Sequence, residues 1–242
     1  MRELIESSRH AVCRIVCRDF DRVGTGFFVR DGGVVVTCNH VVAREELAPD
    51  GLVALSYSQN IQVSSAAGTF GGRIAHSLDD LRPYFDDYAI LAVDADKHPH
   101  LDLGDYAAVH VGDDVLVLGY PLGVEELTAT RGMVAAKHQS PSHMNQLIYL
   151  DMLTVDAAIN VGNSGGPLLD HDGKVVGVVT LRQGSIKPWI DRLRGALRQM
   201  PDQPFYREIL DLFETSNAFL NPGLGEAVSI GYVEDKLSEL GL

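Results

Sequence analysis

The apolar residues of this chain recur mainly with a period of two, in short runs separated by glycine, aspartate and asparagine. That period places alternate side chains on one face of an extended strand, whereas a helix would need a spacing near 3.6. Strands are read at 11–18, 24–30, 33–37, 51–57, 61–64, 69–75, 88–93, 114–120, 127–137, 146–155, 166–169, 174–181 and 226–233. "DHDGK", residues 170–174, joins two of them through Asp172-Gly173, a pair that supplies the positive backbone angles of a tight hairpin turn. About a dozen short antiparallel strands argue for a mostly β chain of closed barrels or a sandwich, and against a parallel sheet with crossover helices. "PHLDLGD", residues 99–105, reads as the crossing between two halves, 1–104 and 105–242.

One segment breaks the alternation. Over 185–222, Trp189, Ile190, Leu193, Leu197 and Met200 recur at helical spacing, with Pro188 suited to a first turn. Phe205, Ile209, Leu212 and Phe213 do the same after Pro201 and Pro204. A two-helix insertion near the C-terminus is expected, packed on the body of the fold or serving as a lid or a docking element for an activating protein.

Charge and composition limit the partners. The 242 residues are 45% hydrophobic, enough for a substantial core, and carry a formal charge of −13 with no basic cluster. Such a surface repels phosphate backbones and anionic lipid, so neither nucleic acid nor membrane is expected as a partner. The opening "MRELIESSRHAVCRIVCRDF" interrupts every apolar run with charge, and the chain reads as cytoplasmic. Cys13 and Cys17, four steps apart on a strand, would stand about 13 Å apart, beyond the roughly 7 Å limit for a bridge. With Cys38 they read as small core residues in a reducing compartment. "HPH" at His98–His100 and the pair His138 and His143 lack companion ligands at useful spacing, so neither a metal nor another cofactor is expected.

Three glycines surround one serine in "NVGNSGGPLL". A serine hydroxyl is a poor nucleophile at neutral pH and needs a base within hydrogen-bond reach, a group that orients the base, and donors for the developing oxyanion. The Gly162-Asn163-Ser164 turn is the candidate oxyanion hole, with the N–H groups of Gly162 and Ser164 as donors. "GTGFFVRDGGVVVTCNHVV" sets His40 just after an apolar strand, and "FDDYAILAVD" sets Asp87 at the start of another.

In these stretches, together with "LGYPLG" and "DAAINVGNSGGPLL", the chain resembles the trypsin-like serine proteases, most closely their HtrA (Deg) branch, over roughly 11–182 and again at "AVSIGYV". The resemblance implies two packed six-stranded antiparallel β-barrels with the active site in the cleft between them. It makes His40 the general base, Asp87 the residue that fixes its tautomer, with Asp86 as a fallback, and Ser164 the nucleophile. It also places Ala158 at the base of the primary specificity pocket and Thr180, Leu181 and Arg182 along its wall. A small apolar floor predicts cleavage after small or medium aliphatic residues, although Arg182 could select an acidic side chain.

Several departures from the family carry information. Asn163 stands where trypsin-type zymogens carry an aspartate that pairs with a newly cut amino terminus, so activation by that ion pair is not expected. Val41 follows His40, and Cys38 has no matching partner for the disulfide of secreted members. No PDZ domain is expected, since the sequence ends about ten residues after the last predicted strand. The expected activity is that of a serine endopeptidase acting on protein through an acyl-enzyme and regulated by a partner or by loop rearrangement. A silent protease-fold scaffold is the alternative. "GNSGG" also fits the elbow of α/β-hydrolases, but only His171 follows Ser164, and the serine leads into a hairpin rather than a helix.

Overall fold

The computed structural model describes residues 1–47, 53–76, 78, 80–95, 97–142, 147–182 and 223–242. The first barrel and the ribbon beside it contain β1 (Val12–Cys17), β2 (Arg22–Arg30), β3 (Val34–Thr37), β4 (Ala43–Leu47), β5 (Val53–Tyr57), β6 (Ile61–Ser65), β7 (Gly68–Ile74) and β8 (Ala89–Val93). The second barrel contains β9 (Asp114–Gly119), β10 (Thr128–Pro141), β11 (Tyr149–Asp156), β12 (Pro167–Leu169), β13 (Val175–Arg182) and β14 (Leu224–Ser229). Hydrogen bonding closes β1-β2-β3-β8-β7-β6 into one antiparallel barrel and β10-β11-β14-β13-β12-β9 into another, leaving β4-β5 as a separate ribbon. Closure leaves neither barrel a free edge.

Valine, isoleucine, leucine and phenylalanine fill the first barrel, where Ile15, Phe27, Phe28, Val35, Val36, Val63, Ile90 and Leu91 are inaccessible to solvent. The second barrel holds a smaller interior of Val115, Val117, Leu153, Val155, Leu168, Val179 and Ala227. His98, half of the histidine pair in "HPH", is a core residue: its ring stacks on Phe28 with centroids 3.6 Å apart, and Nε2 bonds the Ser65 hydroxyl at 2.8 Å. The hairpin at Asp170–Lys174 forms as expected, with Asp170 Oδ1 accepting from the N–H groups of Asp172 and Lys174, both at 2.9 Å.

Two elements differ from expectation. β4, "AREEL", has no apolar alternation because Arg44, Glu45 and Glu46 face solvent in the ribbon. The last predicted strand ends at Ser229, and a helix, Gly231–Glu239, takes over and buries Val233 and Leu237. This helix braces the segment ahead of Asp87. Lys236 Nζ lies 2.6 Å from Asp80 Oδ2, and the Arg82 guanidinium sits 5.4 Å from the Tyr232 ring centroid. The Tyr232 hydroxyl in turn accepts the Asp151 N–H of β11 at 2.9 Å. The expected two-helix insertion over 185–222 lies outside the described residues.

The barrels meet along the crossing segment. Leu101 N–H donates to Phe28 O at 2.8 Å, Gly104 N–H to Val175 O at 2.7 Å, and Val175 N–H to Asp102 O at 2.9 Å.

Candidate active site

His40 sits in a single helical turn, Asn39–Val42, that begins as β3 ends. Its carbonyl and that of Ala43 accept hydrogen bonds from Arg22 Nη1, which ties the turn to the start of β2. Asp87 immediately precedes β8 and adopts a left-handed backbone at φ +51°, a conformation that costs energy for a residue with a Cβ. Its carboxylate receives the His40 backbone N–H at 3.0 Å, His40 Nδ1 at 2.8 Å on Oδ2 and 3.0 Å on Oδ1, and the Thr180 hydroxyl on Oδ2. Asp86 is fully buried but turns to Arg82 Nε at 2.5 Å. The partner of His40 is therefore Asp87.

The electrostatics follow from this geometry. Burial alone would lower the His40 pKa, but the adjacent Asp87 charge and its hydrogen bond outweigh burial and raise it. Burial would raise the Asp87 pKa, and the bonds from His40 and Thr180 overcome that and lower it. The lowered pKa keeps the carboxylate anionic, placed to accept a proton that His40 carries on Nδ1. The His40 side chain keeps 35% of its surface open to solvent. Cys38, beneath this pair, is inert: burial first and the Asp87 charge second push its thiol up, and Sγ donates to Val179 O at 3.2 Å.

Ser164 approaches from the second barrel. Its hydroxyl donates to the Thr180 carbonyl at 3.2 Å, so Thr180 joins the serine, through its carbonyl, to Asp87, through its hydroxyl. Among the described residues no hydrogen bond runs directly from Ser164 to His40. The loop around the serine needs its glycines. Gly162 has φ +101°, and a Cβ there would fall 2.3 Å from Tyr120 O; Gly165 has φ +85°, and a Cβ would fall 2.2 Å from Thr25 O. The N–H groups of Asn163, Gly165 and Gly166 bond to Asn160 O, Val179 O and Asn163 O. Those of Gly162 and Ser164 have no acceptor among the described residues. Asn163 points inward, 1% exposed.

Sequence reasoning missed Thr25. Its hydroxyl donates to Gly162 O at 2.6 Å and accepts the Tyr120 N–H at 3.0 Å, while its own N–H donates to Ser164 O at 2.9 Å. A first-barrel residue thus holds the backbone of the serine loop. The signal was present in "GTG", since glycines flanking one polar residue mark a close approach of chains.

The other expected pocket residues lie as follows. Ala158 is exposed in an open depression shared with Asp114, Met133, Asp156 and Gly223. Leu181 and Arg182 continue β13 opposite Glu226 and Gly225.

A family described as the trypsin-like peptidase domain matches residues 24–178. A probable periplasmic serine endoprotease, DegP-like, of Pseudomonas putida strain W619 is 36% identical over 161 residues, covering 66% of this chain and 29% of the relative. A protein of the same name from Chlamydia trachomatis serovar D is 34% identical over 157 residues, covering 65% and 28%. The chain thus spans less than a third of the length of these relatives. Among solved structures, the HtrA-type protease AlgW with a tripeptide superposes with a TM-score of 0.69 at 22% identity, covering 99% of this chain and 62% of that one. The Rv3671c protease from M. tuberculosis in its active form gives 0.66 at 26% identity, covering 98% and 84%.

The expected cytoplasmic location is overturned, because these relatives are named periplasmic. The cysteines misled: Cys13, Cys17 and Cys38 are wholly buried core residues, and burial of that kind is the same in a reducing or an oxidising compartment. The family match begins on the glycine-flanked strand β2, ends within β13 and includes His40, Asp87 and Ser164. The chain belongs to the trypsin-like peptidase family, and its relatives and structural neighbours are HtrA-type serine proteases.

Proposed function

We propose that this chain is an HtrA-type serine endopeptidase that cuts protein or peptide chains in the periplasm by way of an acyl-enzyme. The carrying observation is the Nδ1–Asp87 contact of 2.8 Å, joined through Thr180 to the Ser164 hydroxyl. When substrate enters, the Ser164 hydroxyl leaves the Thr180 carbonyl and turns to Nε2 of His40. Its proton passes to Nε2 as Oγ bonds to the scissile carbonyl carbon, and the oxyanion receives the N–H groups of Gly162 and Ser164. The imidazolium, stabilised by Asp87, returns the proton to the leaving amine as the C–N bond breaks. Water, deprotonated by His40, then releases the acyl group and restores the serine. The endoprotease name of the relatives supports a peptide chain as the substrate class.

A fluorophosphonate probe should label Ser164, and Ser164→Ala should lower turnover of a protein substrate on the order of a million-fold. Wild-type protein that neither labels nor cuts would favour a silent scaffold. The insertion expected over 185–222 is the proposed regulatory element, because in the sequence it begins just after Leu181 and Arg182. Replacing it with a short turn should change peptide kinetics; unchanged kinetics would remove it from control of the site.

A further inference from the structure

We propose that the cavity around Arg14, where the two barrels face one another beside Thr25, is a binding site for a small apolar monocarboxylate. The inference goes beyond the protease reading and does not depend on it. Arg14 of β1 lies opposite Thr25 of β2 on one side and Ser64 of β6 on the other. Directly opposed residues of antiparallel strands share a face of the sheet, so Arg14 points the same way as Thr25. The Thr25 hydroxyl reaches Gly162 O and the Tyr120 N–H of the second barrel, which fixes that face as the one between the barrels.

The cavity there has a volume of about 550 Å³, within the range of small-molecule sites. Arg9, Arg14, Ser64 and Ala66 line it from the first barrel, and Tyr120 and Leu127 from the second. Arg14 Nε is buried, and the Arg14 side chain has no hydrogen bond or ion pair among the described residues. A guanidinium keeps its charge at any ordinary pH, and a charge withdrawn from water without a partner is costly. Arg9 stands at the same place, engaged only by an exposed contact with Glu6 at 3.4 Å. Burial raises the pKa of the Tyr120 hydroxyl, and the charges of Arg9 and Arg14 oppose that rise, so both cations act on one point of the wall.

The missing partner of Arg14 is an oxyanion, because the planar fork of N–H donors matches a carboxylate or a phosphate. The rim selects between them. Glu125 and Glu126 are exposed on the same cavity, and neither forms an ion pair with Arg14 among the described residues. Their charges repel a second negative charge, which disfavours a phosphate dianion and favours a single carboxylate. Leu127, Ala66 and Tyr120 offer apolar surface for the rest of the molecule. The ligand is therefore one carboxylate on a short hydrocarbon or aromatic stem.

Ligand-observed NMR titration of the full chain with 4-phenylbutyrate and with 4-phenylbutanamide tests the assignment, because the amide keeps the shape and removes the charge. The acid should bind with a Kd of about 1 mM, and the amide at least about tenfold more weakly. Arg14→Gln should weaken the acid about tenfold, and Ala66→Trp, which fills the cavity, should abolish its binding. Labelling of Ser164 with a fluorophosphonate should leave the affinity for the acid unchanged, since that reagent fills the cleft and not this cavity. Absence of saturable binding below about 10 mM overturns the proposal, as does an amide that binds equally or an affinity unchanged in either variant. Binding lost on labelling also overturns it and places the ligand in the cleft. Tighter binding of 3-phenylpropyl phosphate than of the acid overturns the monocarboxylate class. If Arg14→Gln fails to fold, the acid–amide comparison and Ala66→Trp still decide. A protein that takes no label removes the protease reading and leaves the test of this cavity intact.

Discussion

Asp87 shows how one residue can be legible in kind and illegible in conformation. The sequence places an acid before an apolar strand, but the choice between Asp86 and Asp87 depends on the left-handed backbone at 87 and on Arg82 drawing the other carboxylate away. The raised pKa of His40 means that its charge stabilises the fold fully below its ordinary value of 6.5 and is lost as pH rises through the raised value. The lowered pKa of Asp87 means that its charge stabilises the fold above 3.8 and is lost as pH falls through the lowered value. The pair therefore contributes most between those limits. Catalysis needs the neutral imidazole, so kcat/KM should rise with pH through the raised value of His40. Asp87→Asn should lower kcat by about ten-thousand-fold and move that limb toward acid, which a pH–rate profile reads directly. A limb that stayed in place would show that Asp87 does not act on His40.

At the scale of elements, the strands were legible because each carries its own alternation and its own turn residues. The C-terminal helix was not, because Val228, Ile230, Val233 and Leu237 begin with the spacing of a strand and end with that of a helix. Nor could the sequence show that this helix reaches Asp80 and Arg82, since those contacts join residues far apart in the chain. Leu237 is wholly buried on the helix, and Leu237→Ala should cost about 2–5 kcal/mol of stability by denaturant titration. A loss below about 0.5 kcal/mol, the range of surface substitutions, would show that the helix is not packed as described.

At the scale of the whole molecule, the candidate residues His40, Asp87 and Ser164 could be named from the sequence but not the support around them, because Thr25 meets the serine loop only once the barrels have met. Thr25→Val keeps the shape and removes the hydroxyl, leaving Gly162 O and the Tyr120 N–H without that partner. A destabilisation of about 2–4 kcal/mol is expected, with slower fluorophosphonate labelling of Ser164. Unaltered labelling would show that the serine loop holds its form without the first barrel. The position of Thr25 has a consequence for how such a protein is made. The bonds from Thr25 to Gly162 O and Ser164 O join the two barrels, so the loop carrying Ser164 gains that support only once both halves have docked.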